Sequence, residues 1–183
     1  SIGDVKVTAS VLGSNPLNSI DIDLKVIQLG EIEFVNVSRQ PLGVKYSGYQ
    51  ESAEVTFRVT DNDHGLLPGQ RIDFSVTGAQ SGMSAVTVSH AFFVTGPDGL
   101  AKTTISSGTV AGSVQVVAKG VMGPVMNQTS SDFIPIVGAK PNRKYMGFGC
   151  TFENVGGFAD PDITIGCFMQ AFDRFTNAIG VSQ

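Results

Sequence analysis

Residues Val94 to Lys119 read V-T-G-P-D-G-L-A-K-T-T-I-S-S-G-T-V-A-G-S-V-Q-V-V-A-K, and this stretch decides the fold. Pro97-Asp98-Gly99 is typical of a turn, because proline presets φ and glycine accepts a positive φ. Apolar or small residues then alternate with polar ones from Ala101 to Ser106, which predicts a half-buried strand. A second turn is expected at Ser107-Gly108.

Another strand should follow this second turn. Val114, Val116 and Ala118 share one face, and Gln115 and Val117 share the other, as the two-residue period of a strand requires. The whole stretch therefore predicts strand, turn, strand, turn, strand.

Apolar and polar residues alternate in several other short runs. With the two above they predict seven turn-bounded strands, at residues 32–37, 55–59, 72–76, 86–88, 101–105, 114–118 and 133–136. Seven such strands are what a two-sheet immunoglobulin-like β-sandwich needs. Apolar spacing typical of helices is almost absent, so we predict an all-β fold. Pro135 cannot donate to a ladder, so its strand should lie at an edge or begin at a bulge.

Composition limits the classes of function. The 183 residues are 42% hydrophobic and 15% charged, enough to bury a core. The net charge is −4 and no basic run exceeds Arg143-Lys144, so no nucleic-acid partner is expected. No apolar stretch approaches about 20 residues and no signal-peptide start is present, so we predict no membrane span and no leader in this sequence.

Two parts of the sequence together resemble a known family. They are T-G-P-D-G-L-A, T-I-S-S-G and A-G-S-V-Q-V-V-A within residues 95–118, and D-N-D-H-G-L-L-P-G-Q-R-I-D-F-S-V from Asp61 to Val76. In this order they resemble bacterial Ig-like domains of group 1, the invasin/intimin type. His64-Gly65-Leu66-Leu67 departs from the family's usual G-N-P-V, and the connection at 78–90 is longer. The resemblance implies a non-enzymatic sandwich of a tandem repeat protein.

Internal repeats divide the chain. Residues 2–9 match 111–118, and 23–27 match 132–136, both at an offset of 109; Cys167, Met169, Ala171 and Asp173 match 55, 57, 59 and 61 at an offset of 112. Two separate segments with one offset indicate a repeat of Ig-domain size. We therefore predict that 1–30 holds the last strands of one module, 31–140 a complete module and 141–183 the first strands of a third. Both end segments would expose an apolar face and an unpaired edge, so we expect them to pair with each other, within one chain or between two.

The two cysteines are separated by sixteen residues. A metal site needs further ligands, and neither His64 nor His90 is near Cys150 or Cys167 in sequence. We favour a disulfide, which would imply an oxidising compartment; two free buried thiols and a metal site are the alternatives.

Other polar clusters have a structural and a functional interpretation. Asp61-Asn62-Asp63-His64-Gly65 offers oxygen donors as a calcium loop does, but lacks a downstream bidentate Glu. Turns use the same residues, so we predict turn chemistry and no metal, there and at Asp160-Pro161-Asp162. Tyr46 and Tyr49, in a predicted loop, either pack on the end of the sandwich or contact a partner. Tyr46, Tyr49, Asp61, Asp63 and His64 are thus the candidate contact surface.

The inventory for catalysis is thin. The sequence has two His and two Cys, and no G-x-S-x-G, H-E-x-x-H or G-x-x-x-x-G-K-[ST] motif. His90 lies in S-H-A-F-F, a predicted strand, where packing is the favoured role. Trp, the best stacking platform for sugars, is absent. We predict no enzyme, no catalytic residue and no cofactor.

The resemblance implies a surface role. We predict a rigid spacer of a bacterial cell-surface or secreted repeat protein, anchored in the outer membrane, that presents a binding domain. Its expected partners are neighbouring Ig-like modules of the same polypeptide, and a host or partner-cell protein or a surface glycan. The alternative is an accessory sandwich that docks substrate for an extracellular hydrolase.

Overall fold

The computed structural model describes residues 5–10, 19–24, 27–78, 86–151 and 166–179. Within them the chain forms strands and one 3₁₀ turn, Arg143–Tyr145. The strands are β1 (Val5–Ser10), β2 (Ser19–Leu24), β3 (Leu29–Val37), β4 (Leu42–Gly43), β5 (Ser52–Asp61), β6 (Arg71–Thr77), β7 (Thr87–Val88), β8 (Phe92–Val94), β9 (Leu100–Ser106), β10 (Gly112–Met122), β11 (Val125–Ser130), β12 (Ile134–Val137), β13 (Met146–Cys150) and β14 (Cys167–Ala171). None of the described residues belongs to a helix long and apolar enough to cross a membrane.

Strands β3 to β12 form two sheets. One sheet has the order β3-β5-β9-β7; the other has the order β4-β12-β10-β6-β8, with β11 also paired to β10. In the letters of the immunoglobulin fold the first sheet is A-B-E-D, and β6, β10 and β12 are C, F and G. The predicted all-β, immunoglobulin-like sandwich is confirmed.

The core lies between these sheets. Phe57 of β5 is fully buried; its ring centroid lies 5.8 Å from that of Phe34 in the same sheet and 5.9 Å from that of Phe74 in the opposite sheet. The predicted alternation holds in β10, where Val114, Val116 and Ala118 are buried and the intervening residues are half-buried. This alternation is what fixes the register of a strand whose one face is buried.

The turn that opens the deciding stretch is also as predicted. Gly99 has a φ of 64°, and its amide donates to the carbonyl of Gly96 at 2.9 Å. A Cβ at this position would lie 2.9 Å from the carbonyl oxygen of Val59. Glycine is therefore required here both by the positive φ and by the close approach of β5.

Two strands were not predicted. The short β4 pairs in parallel with β12, and β11 returns along β10 after a turn at Gly123, whose φ is 57°. The last of these carries a sequence signal, because Gly123-Pro124 is a turn dipeptide. β12 begins after a break at 131–133, and β4 covers only its last two residues, so no strand pairs beside Pro135 on that side.

The segment between β6 and β9 changes sheets. Thr87 and Val88 pair with β9 of the first sheet, and Phe92 to Val94 pair with β6 of the second. His90 was predicted to lie in a strand, but it is an exposed residue of this crossing, where the chain must leave one ladder to reach the other.

The two ends of the chain each form a hairpin. β1 pairs with β2 and β13 pairs with β14, each as a separate two-stranded sheet in the described part of the chain. The strands of the sandwich run from Leu29 to Val137. The division into modules at 30 and 140, and pairing of the end segments within one chain or between two, stay predictions.

Candidate functional site

A tight turn follows β14, and we call its residues Asp173–Ile179 the Asp173 turn. The backbone closes it, because the amide of Asp173 donates to the carbonyl of Asn177 at 3.0 Å and the amide of Thr176 donates to the carbonyl of Asp173 at 3.1 Å. The carboxylate Oδ1 of Asp173 accepts from the amides of Phe175 (2.8 Å) and Asn177 (2.9 Å). Thr176 has a φ of 66°. An aspartate that bonds its own following amides is a standard way to fix such a turn.

The same turn docks on the sandwich through side chains. Asp173 Oδ2 accepts from the amide of Ala139 at 2.9 Å and from Asn177 Nδ2 at 2.8 Å. Asn177 Nδ2 also donates to the carbonyl of Thr109, and Asn177 Oδ1 accepts from the amide of Ala111, both at 2.8 Å. Thr109 and Ala111 lie in the loop between β9 and β10. The amide side chain of Asn177 therefore bonds two residues that precede it in sequence by 66 and 68 positions.

Asp173 is fully buried at this contact. Burial raises the pKa of its carboxyl, but the hydrogen bonds from the Asn177 side chain and from the amides of Ala139, Asn177 and Phe175 outweigh burial and hold the pKa below its usual range. These donors stabilise the carboxylate form. The contact is thus built for an ionised aspartate.

Arg174 adds a second contact to the sandwich. Its guanidinium lies 4.7 Å from the centroid of the Phe175 ring and 5.8 Å from that of Tyr46, and it donates to the carbonyl of Tyr46. Tyr46 lies in the loop between β4 and β5 and has a φ of 64°. Phe175 is half-buried against the core of the sandwich. Two loops of the sandwich therefore receive the Asp173 turn.

The Asp61 turn, residues Asp61–Leu67, repeats this geometry at the other end of the sandwich. Subtracting 112 from each residue of the Asp173 turn gives the same bonds: the amides of Asp63 (2.9 Å) and Gly65 (2.7 Å) donate to Asp61 Oδ1, and the amide of His64 donates to the carbonyl of Asp61 (3.1 Å). His64 has a φ of 63°, as Thr176 has 66°. The isolated bridges also agree, since Thr60↔Leu66 becomes Phe172↔Ala178.

The two turns differ in their surroundings. Asp61 is half-buried whereas Asp173 is fully buried, and Gly65 stands where Asn177 stands in the other copy. The Asp61 turn touches the chain just before β3, because the amide of Asn62 donates to the carbonyl of Gln28 at 3.2 Å and the amide of Gln28 donates to Asn62 Oδ1 at 3.3 Å. The turn is common to both; the side chain that joins it to another loop is present in one.

The candidate contact residues fall into two groups. Tyr46 and Tyr49, 63% and 51% exposed, precede β5, whereas Asp61, Asp63 and His64 follow it. A strand of ten residues spans roughly 30 Å, so the groups lie at opposite ends of the sandwich and do not form one patch. Tyr46 lies at the Asp173 contact.

Cys150 and Cys167 form a disulfide and lie opposite each other in the β13–β14 ladder. It closes a loop across a sequence separation of 17. A loop of this length gains about 3 kcal/mol from the cross-link. The bond therefore holds together the hairpin that carries the Asp173 turn.

The remaining predicted features concern metal ions and catalysis. Among the described residues, no three His, Cys, Asp or Glu side chains come together in a group that could hold a metal ion. Asp160-Pro161-Asp162 lies outside the described residues. His90 Nδ1 lies 2.9 Å from the hydroxyl of its neighbour Ser89, on the exposed crossing between the sheets.

No family model matches the chain, and no curated protein matches it. Among solved structures it is similar to the D00-D0 domain of Intimin, with 20% identity, 73% of this chain covered and a TM-score of 0.44. It is also similar to the D0-D1 domain of Intimin (15% identity, 74% covered, TM-score 0.40) and to domains 5-6 of the S-layer protein SbsC (12% identity, 85% covered, TM-score 0.40). The chain spans 64% of each intimin structure and 67% of the SbsC structure. Two of these structures are domains of Intimin, the type that the sequence was predicted to resemble.

Sequence reasoning missed the residues of the docking contact. It recognised Asp173 as the repeat of Asp61, but it assigned no contact to Asp173 or to Asn177. One signal in the sequence could have found them. Gly65 and Asn177 occupy matched positions in two copies of one turn, and only Asn177 has a side chain that can bond a neighbouring loop.

Proposed function

We propose that this chain is part of a bacterial cell-surface or secreted repeat protein, in which Ig-like sandwiches are joined end to end and act as a rigid, non-enzymatic spacer. The observation that carries this proposal is the docking of the Asp173 turn. It starts a second copy of the sandwich motif, and it is bonded to the end of the first copy.

Rigidity follows from the kind of contact. Asn177 makes hydrogen bonds to Thr109 and Ala111, and Asp173 accepts from the amide of Ala139. The Asp173 turn is therefore fixed to the sandwich at more than one point. A flexible linker between domains makes no such contacts, and its domains move independently by default. A row of modules held in this way would transmit force and keep a terminal binding domain at a distance from the cell.

The hairpin that follows the sandwich supports the proposed repeat. Phe148 and Met169 are paired across β13 and β14, so they share one face, and they are 74% and 67% exposed. Met169 lies 112 residues after Phe57, whose side chain is fully buried between the two sheets. An apolar sheet face of this kind is what the second sheet of a sandwich covers.

The localisation is part of the proposal. A disulfide between Cys150 and Cys167 forms and persists in oxidising compartments, which agrees with a secreted or surface protein. Anchoring of the parent protein in the outer membrane belongs to the proposal as well, as does a binding partner at its far end.

Protease shaving of source cells tests this proposal. An antibody against residues 29–137 is used to blot intact and shaved cells, with a cytosolic protein as the control. We expect a band much longer than this chain that disappears on shaving. A short band that survives shaving of intact cells contradicts the surface role. A shaveable chain in which a catalytic domain adjoins this one would favour the accessory role in a hydrolase.

A further inference from the structure

We propose that the Asp61 turn is a docking surface for the Ig-like module that carries β1 and β2, and that it receives the loop before that module's sixth strand. The Asp173 turn receives Thr109 and Ala111, in the corresponding loop of the central sandwich, through the side chain of Asn177. This inference rests on the proposed function, because it needs a module in front of residue 29.

The β1–β2 hairpin repeats the pairing of β10 with β11. Subtracting 109 from Val117 and Ser130, which are paired in β10–β11, gives Thr8 and Asp21, which are paired in β1–β2. The next two pairs along the ladder agree as well, since Ala118↔Thr129 becomes Ala9↔Ile20 and Lys119↔Gln128 becomes Ser10↔Ser19. The sequence repeat at 109 is therefore also a repeat of pairing register. β1 and β2 correspond to β10, which is strand F, and to β11, which returns along it.

The connection between a preceding module and β3 would be shorter than the connection that follows β12. The offset of 109 aligns Gln28 with Val137, the last residue of β12, so a preceding module would end where β3 begins at Leu29. At the other joint, the offset of 112 aligns Asn142 with Gly30, which leaves three more residues between the modules. The first joint is thus the shorter, and its two modules must stand closer together.

The end of the preceding module, at Gln28, would meet the Asp61 turn. Gln28 already exchanges two hydrogen bonds with Asn62 of the Asp61 turn. A sandwich closed around β1 and β2 must therefore stand over this turn. Asp63 and Gly65 are exposed, whereas Phe175 and Asn177, at the matching positions of the docked copy, are half-buried. Ile27 and Leu66, 54% and 51% exposed, add apolar surface on both sides of the contact.

The Asp61 turn lacks a side chain that the Asp173 turn uses for docking. Gly65 lacks the side chain with which Asn177 bonds Thr109 and Ala111, so the proposed contact would form through backbone and apolar groups. Gly65→Asn would supply a side chain of the same kind. A Cβ at residue 65 would lie 3.0 Å from Asp61 Oδ2, and Asn177 occupies the matching position beside Asp173, so the turn accepts this side chain.

Cysteine labelling of two proteins tests the inference. Gly65→Cys is placed in the 183-residue chain and in the purified full-length protein, and the rate of maleimide labelling is measured without reductant, so that Cys150 and Cys167 stay oxidised. Ser75→Cys, on an exposed position in the middle of β6, is the matched control. We expect labelling at residue 65 to be about tenfold slower in the full-length protein, as for a site that reacts only when its contact opens, and labelling at residue 75 to be equal in both.

Equal rates at residue 65 in the two proteins would overturn the inference, as would a full-length protein in which no sandwich closes around β1 and β2. Asp63→Cys gives an independent measurement if the first variant fails to fold. Because both proteins are purified, the result does not depend on where the protein is found in the cell. A band that survives protease shaving would therefore contradict the proposed function, and the labelling rates would still test the docking of the Asp61 turn.

Discussion

The Asp61 turn and the Asp173 turn have the same backbone and different neighbours. Both are closed by an aspartate that accepts from the amides two and four residues later, and both contain a residue with a φ near 65°. Asp173 also bonds Ala139 and Asn177, and Asn177 bonds the loop between β9 and β10. Within this chain the Asp61 turn therefore caps a sandwich and the Asp173 turn forms a joint, and Asn177, where the other copy has Gly65, supplies the bonds to Thr109 and Ala111.

Replacing the aspartate should separate the two copies most strongly. Asp173→Ala removes a buried acceptor of four hydrogen bonds and leaves buried donors without a partner, so we expect a loss of about 3 kcal/mol in the stability of the docked turn. Asp61→Ala, in the half-buried copy, should cost about 1 kcal/mol. Amide hydrogen exchange at Ile179, and at the matching Leu67 for the control, measures both, because each amide donates to a backbone carbonyl that the substitution leaves in place. Equal losses in the two copies would contradict the distinction between joint and cap.

The joint side chain should have the next largest effect. Asn177→Ala removes the bonds to Thr109 and Ala111 but leaves Asp173 and the backbone turn in place, so we expect the docked turn to lose about 1–2 kcal/mol. Asn36→Ala, at an exposed position of β3, is the matched control and should change stability by less than about 0.5 kcal/mol. Exchange rates of the Ala111 amide provide the measurement. Unchanged protection of this amide would show that Asn177 does not hold the joint.

Acid should release the joint through the same carboxylate. Because the folded pKa of Asp173 is lowered, its contribution to stability is fully present above the ordinary carboxyl pKa of about 4 and is lost as the pH falls through the lower folded pKa. NMR shifts of the Ala139 and Asn177 amides between pH 2 and pH 6 should report this loss. In Asp173→Asn the same shifts should be flat over this range. A transition of equal size in that variant would assign the effect to other carboxyl groups.

Arg174 should matter least. Its guanidinium contacts the exposed ring of Tyr46 and the half-buried ring of Phe175, and cation–π contacts at exposed sites contribute about 0.5–1 kcal/mol. We expect Arg174→Ala to cost up to about 1 kcal/mol and to move the NMR signals of the Tyr46 ring. Arg174→Lys keeps the charge and should restore part of the shift. A loss as large as that from Asp173→Ala would mean that the arginine, and not the buried carboxylate, fixes the joint.

Sequence patterns were sufficient for the strands whose burial alternates. The runs around Phe57, Phe74 and Val116 were predicted because one face of each strand is buried, and this two-residue period is visible without a structure. Gly99 was also predictable, because Pro97-Asp98-Gly99 fixes a turn locally. β4 was not predicted, because a strand of two residues carries too few positions to show a period.

The candidate site was predicted in part for the same reason. Asp61 and Asp173 were found as repeats of one motif, since a turn is a local structure that the sequence specifies by itself. Tyr46 and Tyr49 were grouped with Asp61 and His64 as one surface, yet they lie at opposite ends of β5. Which loops share an end of a sandwich depends on strand order and direction, and these arise from long-range pairing.

The sequence by itself determined the all-β class, the repeat offsets of 109 and 112, the aspartate turns and the two cysteines, because each depends on neighbouring residues or on a regular period. Only the tertiary structure decided that β10–β11 and β1–β2 share one register, that residues 86–94 cross between the sheets, and that Asn177 bonds Thr109 and Ala111. The reason is physical: a hydrogen bond between residues more than 60 positions apart forms only after the sandwich has brought their loops together, and no local pattern encodes it.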